Sequence, residues 1–177
     1  MPETLITSDP QAARDWAKHL GKPIVYKPLN GVWHADEGQA RLIYTTPVRD
    51  PGDLLDPRLA LTAQLFQERV PLGFAVRATI VGEKVFAARI DTDDPAARED
   101  WRAAYDALRH SVIELPSPVT ASLVELHRRL GLVYGAADLL CDPGGRFWFL
   151  ETNPSGEFGW ITDRTGLPIA DLLEEAS

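Results

Sequence analysis

The stretch GAADLLCDPGGRFWFLETNPSG, residues 135–156, decides what kind of sheet this chain builds. Two apolar runs flank Pro143, Gly144 and Gly145. That connection is too short for a crossover helix, so the runs pair antiparallel. Side chains at i and i+2 of a strand share a face, so Glu151 and Asn153 point one way and Thr152 the other. Counted outward from the turn, Asp138 falls roughly opposite Glu151, so two carboxylates and an amide oxygen converge. These are hard oxygen ligands suited to Mg²⁺, an ion that keeps waters and completes its shell with substrate phosphates. The competing reading is local: Asp138 closes a strand end, while Glu151 and Asn153 form a turn that Asn-Pro initiates.

Upstream, FAVRATIVGEKVFAARID (74–91) alternates on both sides of Gly82, Glu83 and Lys84, the pattern of a hairpin. TAQLFQERV (62–70) reads as a strand, as does KPIVYKPL (22–29). NGVWHADEGQ (30–39) reads as a mobile loop bracketed by Gly31 and Gly38, and RLIYTT (41–46) as the next strand. PVRDPGDLLDPRLA (47–60) is a looser segment that wraps the surface. A helix is expected over TSDPQAARDWAKHLG (7–21), with Ser8 or Asp9 accepting from free amides, Pro10 in the first turn and Gly21 at the end; Ala13, Trp16, Ala17 and Leu20 share one face. A second is expected over SPVTASLVELHRRLG (117–131), capped by Ser117 and stopped by Gly131, with Val119, Leu123, Leu126 and Leu130 on its apolar face. DTDDPAAREDWRAAYDALRH (91–110) reads as a loop leading into a short helix, SVIELP (111–116) as a strand, and LPIADLLEEAS (167–177) as a terminal helix packing through Ile169, Leu172 and Leu173. Mixed elements with antiparallel pairs define an α+β chain.

Composition narrows the function. The 177 residues, 45% hydrophobic and 25% charged, suit one globular unit or two small ones sharing a core. The single cysteine, Cys141, excludes an internal disulfide. No signal peptide is legible, and no apolar run approaches the roughly 20 residues of a membrane helix; the expected location is the cytoplasm. A net charge of −8 argues against nucleic acid and anionic membranes as partners, since both need a positive field. The chain carries no HExxH, CxxC, nucleophile elbow or Walker lysine motif. Covalent catalysis by an enzyme nucleophile is therefore not expected. The histidines are scattered, and His19 and His127 are expected on helix surfaces.

Cations in apolar settings stand out against this acidic background. Lys27 follows Ile24, Val25 and Tyr26 in an apolar strand, where an ammonium can hold a phosphate or simply snorkel to water. Arg77 and Arg89 sit on the two arms of the hairpin, either meeting an anion such as a triphosphate or lying on an exposed face. Glu68 is placed to accept from a ribose hydroxyl, with the backbone after it, at Arg69 and Val70, reading an adenine edge; the competing reading is a solvated carboxylate. The acidic DTDDPAARED (91–100) either receives a peptide or is a solvated loop.

Taken in order, VYKPL, QLFQERV, VRATIVGEKVFAARI, GAADLL and FLETNPSGEF resemble the ATP-grasp superfamily, over almost the whole chain. TLITSDPQAA, IDTDDPAAREDWR and LETNPSGEFGWI look most like its maturases of ribosomally made peptides, the graspetide or microviridin-type ligases related to the RimK-like enzymes. The resemblance implies two α+β subdomains, with largely antiparallel sheets sandwiching the nucleotide. The first, residues 1–70, is the central lysine-bearing subdomain, and the second, residues 71–177, is the Mg²⁺-binding C-terminal subdomain. The N-terminal domain that usually precedes them is expected to be absent. Lys27, Glu68, Arg69, Val70, Arg77 and Arg89 are then expected around ATP, the two arginines as catalytic residues, and Asp138, Glu151 and Asn153 around Mg²⁺. Position 75 is alanine where the family often has an acidic residue. The implied activity is ligation: a carboxylate is activated as an acyl phosphate and attacked by an amine or hydroxyl. The expected partner is a precursor peptide or another carboxylate substrate, and a homodimer is one way to supply acceptor surface. The alternative is a non-catalytic or truncated ATP-binding or partner module derived from such a ligase.

Overall fold

A computed structural model of the protein describes residues 1–29, 33–36, 39–42, 44–100 and 104–175. The chain divides into two compact units, Pro2–Val70 with Pro95–Tyr105, and Pro71–Asp94 with Asp106–Ser177. Among the described residues no helix is long and apolar enough to cross a membrane.

The first unit contains a four-stranded antiparallel sheet. Its strands are β1 (Thr4–Thr7), β2 (Ile24–Lys27), β5 (Thr46–Val48) and β6 (Gln64–Glu68), in the order β1-β6-β2-β5. Helix α1 (Pro10–Leu20) covers one face, where Ala13 and Ala17 pack with Ile24, Leu54 and Phe66. Local chemistry sets its ends. The Asp9 carboxylate accepts from the amides of Gln11 at 2.8 Å and Ala12 at 3.2 Å, and Gly21 closes the helix at φ +62°. Asp9→Ala is expected to cost about 1 kcal/mol, read as a shift in the urea unfolding midpoint at unchanged slope.

Three expectations for this unit change. Within the anticipated loop lies β3 (Trp33–Asp36), paired antiparallel with β4 (Gln39–Leu42) from Trp33 with Leu42 to Asp36 with Gln39. The apolar-polar alternation on either side of Glu37-Gly38 is itself a hairpin signal. The anticipated strand 41–46 is split between β4 and β5, while Gly31 and Gly38 lie outside the described residues. The looser segment forms two 3₁₀ helices, Pro51–Leu55 and Pro57–Leu61. In each an aspartate accepts from the second amide, Asp50 from Gly52 and Asp56 from Arg58, and a proline sets the first φ.

The second unit is built on a five-stranded antiparallel sheet of order β11-β10-β7-β8-β9. β7 (Phe74–Val81) and β8 (Lys84–Thr92) are the expected hairpin, with Gly82 at φ +57°. β10 (Tyr134–Cys141) and β11 (Phe147–Asn153) are the expected antiparallel pair. One sheet face packs on α3 (Ser117–Leu130) through Val76, Ala78, Ile80, Ala137, Leu139 and Leu123. The other face is covered at one end by α4 (Gly159–Thr165) and α5 (Ile169–Glu175), where Ile161 and Ile169 meet Val81 and Ala88.

Here too the structure departs from expectation. β9 is Leu108–Val112, not 111–116, because pairing with β8 draws Leu108 and His110 into the ladder. Before it lie the short α2 (Pro95–Glu99) and a 3₁₀ turn, Tyr105–Ala107. α4 was not anticipated. Ser117 is the first residue of α3 and caps nothing; Pro116 holds the cap position. Leu130 is 55% exposed, and His127, expected at the surface, is 1% exposed. The buried stripe runs from Leu123 to His127, four residues on, where the missing side chain of Gly135 makes room for the imidazole. The side chain of Leu172 lies outside the described residues.

Candidate functional site

Strand parity gathers four of the expected residues on one face of the second sheet. Arg77 lies opposite Asp138, Asp138 opposite Glu151, and Ala136 opposite Asn153. Directly opposed residues share a face with Cβ atoms about 4.5–5.5 Å apart. This is the face away from α3, beside the patch that α4 and α5 cover: Ala88, which meets Ile161 and Ile169, lies opposite Arg77. Leu150 makes the convergence possible: Asp138 opposes Glu151 but Leu139 opposes Phe149, so Leu150 is the extra residue of a β-bulge.

Arg77 is 8% exposed, and its Nη1 donates to both oxygens of Asp138 at 2.9 Å. Its Nε is buried without an acceptor among the described residues. Beyond β11 the loop is held by its own hydrogen bonds. Ser155 N–H donates to Asn153 Oδ1 at 2.9 Å, Gly156 N–H to Asn153 O at 3.2 Å, and the Tyr134 hydroxyl to Gly156 O. Asn153, the last residue of β11, begins this turn, whereas Asp138 and Glu151 lie within strands and not at a strand end or in a turn. The Asn153 amide oxygen has a second lone pair, so the turn does not exclude a ligand role.

Among the described residues no three His, Cys, Asp or Glu side chains group to hold a metal by themselves. Two carboxylates and an amide oxygen on one strand pair fit an ion that keeps waters and takes phosphate oxygens, as Mg²⁺ does.

Arg89 is not part of this group. It lies opposite Val76, on the α3 face, with Nε and Nη2 each 2.7 Å from an Asp91 oxygen and its guanidinium 3.9 Å from the Phe74 ring centroid. Hydrogen bonds from Arg89 hold the Asp91 carboxyl below its ordinary pKa. Twelve residues separate Arg77 from Arg89, an even interval, but the two-residue turn between them reverses the parity.

In the first unit Lys27 projects from the sheet face opposite α1. Its Nζ donates to Gln67 Oε1 at 2.9 Å, and Gln67 Nε2 donates to Thr4 Oγ1 at 2.9 Å. Gln67 is 4% exposed and was not singled out from sequence; the signal that finds it is pairing, since Val25 opposes Gln67, which opposes Thr4. Glu68 faces the other way, opposite Ile24, and its Oε1 is 2.6 Å from Lys22 Nζ. This corrects its reading as a solvated carboxylate and separates it from Lys27. The Arg69 amide donates to Pro23 O at 2.8 Å, and Val70 is buried.

The chain has the ATP-grasp fold. Its structural neighbours are RiPP ATP-grasp ligases. They include a RiPP-associated ATP-grasp ligase of Chryseobacterium gregarium, in complex with ADP and a leader and core peptide (TM-score 0.83, 27% identity, 92% of this chain and 50% of that one). The macrocyclase MdnC of Microcystis aeruginosa MRC, bound with precursor peptide MdnA, matches with TM-score 0.82 and 30% identity over 99% of this chain and 53% of that one. The ATP-grasp ligase PsnB, complexed with minimal precursor, Mg and ADP, matches with TM-score 0.74 and 26% identity over 100% of this chain and 54% of that one. The chain therefore spans about half the length of the structures it matches. No family model matches the chain, and no curated protein matches it in sequence.

Proposed function

We propose that the chain is an ATP-dependent ligase that activates a carboxylate as an acyl phosphate, for attack by an amine or hydroxyl, on a ribosomally made precursor peptide. The observation that carries the reading is the placement of Arg77, Asp138, Glu151 and Asn153 on one sheet face, the one away from α3. Neighbours that hold ADP and precursor peptides support the substrate class.

Asp138, Glu151 and Asn153 are the residues that would hold Mg²⁺. When bound, the ion neutralises phosphate charge. Arg77, kept oriented by Asp138, offers N–H groups to a phosphoryl or carboxylate oxygen in a poorly solvated setting, where such bonds are strong. Lys27, steadied by Gln67, is the proposed phosphate-binding cation of the first unit. A substrate carboxylate oxygen attacks the γ-phosphorus, the bond to the β-phosphate oxygen breaks, and ADP leaves. The acceptor then attacks the acyl carbon, gives up its proton and expels phosphate, leaving an amide or ester. The chain's contribution is charge and alignment, with no enzyme nucleophile.

Calorimetric titration with a non-hydrolysable ATP analogue, with and without Mg²⁺, tests this reading. Binding that requires Mg²⁺ is expected, together with ADP release from ATP when a precursor peptide is supplied. Binding without ADP release favours a non-catalytic nucleotide-binding module, and failure to bind overturns both.

A further inference from the structure

We propose that His127, on the sheet face away from Arg77, is a positioning residue: through Thr152 it fixes the segment of β11 that carries Glu151 and Asn153. The proposal rests on the reading of those two residues as holders of Mg²⁺.

The contact is buried and directional. His127 is 1% exposed, and its Nε2 lies 2.9 Å from Thr152 Oγ1. The ring occupies space that Gly135 leaves open: a Cβ there would stand 2.6 Å from His127 Cε1. Nδ1 is buried with no hydrogen-bond partner among the described residues. A bare lone pair is a lesser burden in such a place than an orphaned N–H, which assigns the proton to Nε2 and makes the imidazole the donor to Thr152. Burial also pushes the ring's pKa down, which keeps it neutral.

An apolar side chain at position 127 would continue the Leu123 stripe without a bare nitrogen. What the imidazole adds is therefore the bond to Thr152.

β11 needs such a bond because of where it lies and how it is built. It is an edge strand, paired among the described residues only with β10, and the bulge at Leu150 immediately precedes Glu151. A slip of one residue would turn Glu151 and Asn153 toward α3 and Thr152 toward Arg77. Thr152 lies opposite Ala137 in the α3-facing core, so tying its hydroxyl to His127 holds its neighbours on the opposite side. Helix α3 thereby sets the placement of side chains that it does not touch.

The test compares wild type with His127→Leu, His127→Gln, Thr152→Val and the double variant His127→Leu/Thr152→Val. Two readouts are taken: amide hydrogen exchange at Thr152 and Asn153 without nucleotide, and the Mg²⁺ concentration that half-saturates binding of a non-hydrolysable ATP analogue. Each of the Leu and Val variants is expected to speed exchange and to raise the Mg²⁺ requirement by about tenfold. The double variant is expected to add nothing. His127→Gln, whose amide nitrogen reaches the place of Nε2, is expected to stay near wild type in both. Wild-type exchange in His127→Leu, or fully additive effects in the double variant, overturns the proposal. If wild type binds no Mg²⁺-nucleotide, the proposed function fails, and exchange alone then decides whether His127 holds β11.

Discussion

Asp138→Ala is expected to lower the stability of the protein by about 3 kcal/mol or more and to abolish Mg²⁺-dependent nucleotide binding, whereas Glu151→Ala is expected to abolish only the binding. The two carboxylates stand opposite each other on the same strand pair but face different company. Asp138 neutralises Arg77, and the two side chains are only 14% and 10% exposed. Removing the carboxylate leaves a buried guanidinium without its counter-charge. Breaking one side of a buried pair costs far more than the intact pair contributes, because the remaining charge cannot recover its hydration. Glu151 is exposed, so its loss strands no buried charge. Asp138→Asn keeps the volume and one acceptor and is expected to fall between these limits. Guanidinium unfolding of the three variants, paired with calorimetry, separates the effects. Equal stability of Asp138→Ala and Glu151→Ala would show that the Arg77 pair does not help to hold the sheet.

Gly156→Val is the second large effect, expected to cost about 1–3 kcal/mol and to weaken Mg²⁺-nucleotide binding by about tenfold. A Cβ at this position would lie 2.6 Å from the Ala136 Cβ and 2.9 Å from Arg77 Nη2. The loop cannot simply lift away, since the Tyr134 hydroxyl donates to Gly156 O and Asn153 O accepts the Gly156 N–H. Either Arg77 leaves Asp138 or the turn at Asn153 opens, and both disturb the candidate site. Gly159→Ala is the control: three residues on, at the start of α4, a Cβ meets nothing within 4 Å. That variant is expected to unfold and bind like wild type. If Gly156→Val did the same, the close packing of this loop on Arg77 would have no energetic weight.

Much of this molecule was legible where the determining chemistry is local. The limits of α1 follow from Asp9, Pro10 and Gly21, the β7–β8 turn from Gly82-Glu83, and the antiparallel pairing of β10 with β11 from Pro143-Gly144-Gly145; a count outward brings Asp138 opposite Leu150, and only the bulge there moves Glu151 into its place. Signals that act over a few residues do not depend on the rest of the fold. The strand at Leu108 and the hairpin at Trp33–Leu42 were misread for two reasons. The first takes its structure from a partner strand, and the second was read by Gly31 and Gly38 and not by its alternation.

What the chain by itself determined was which residues within a regular run of strand share a face; only the tertiary structure decided where a bulge breaks that run, which residues of different strands meet, and on which side of a sheet. Lys27 found Gln67 from 40 residues away, Arg77 found Asp138 from 61, and His127 found Thr152 from 25. Arg89 was carried to the α3 face and Glu68 to the side of Lys22. The physical reason is the two-residue period of a strand. Parity is written in the local order of residues, but the choice between the two faces is made when distant strands pair and a helix covers one side, and a shift of a single residue in that pairing reverses every assignment.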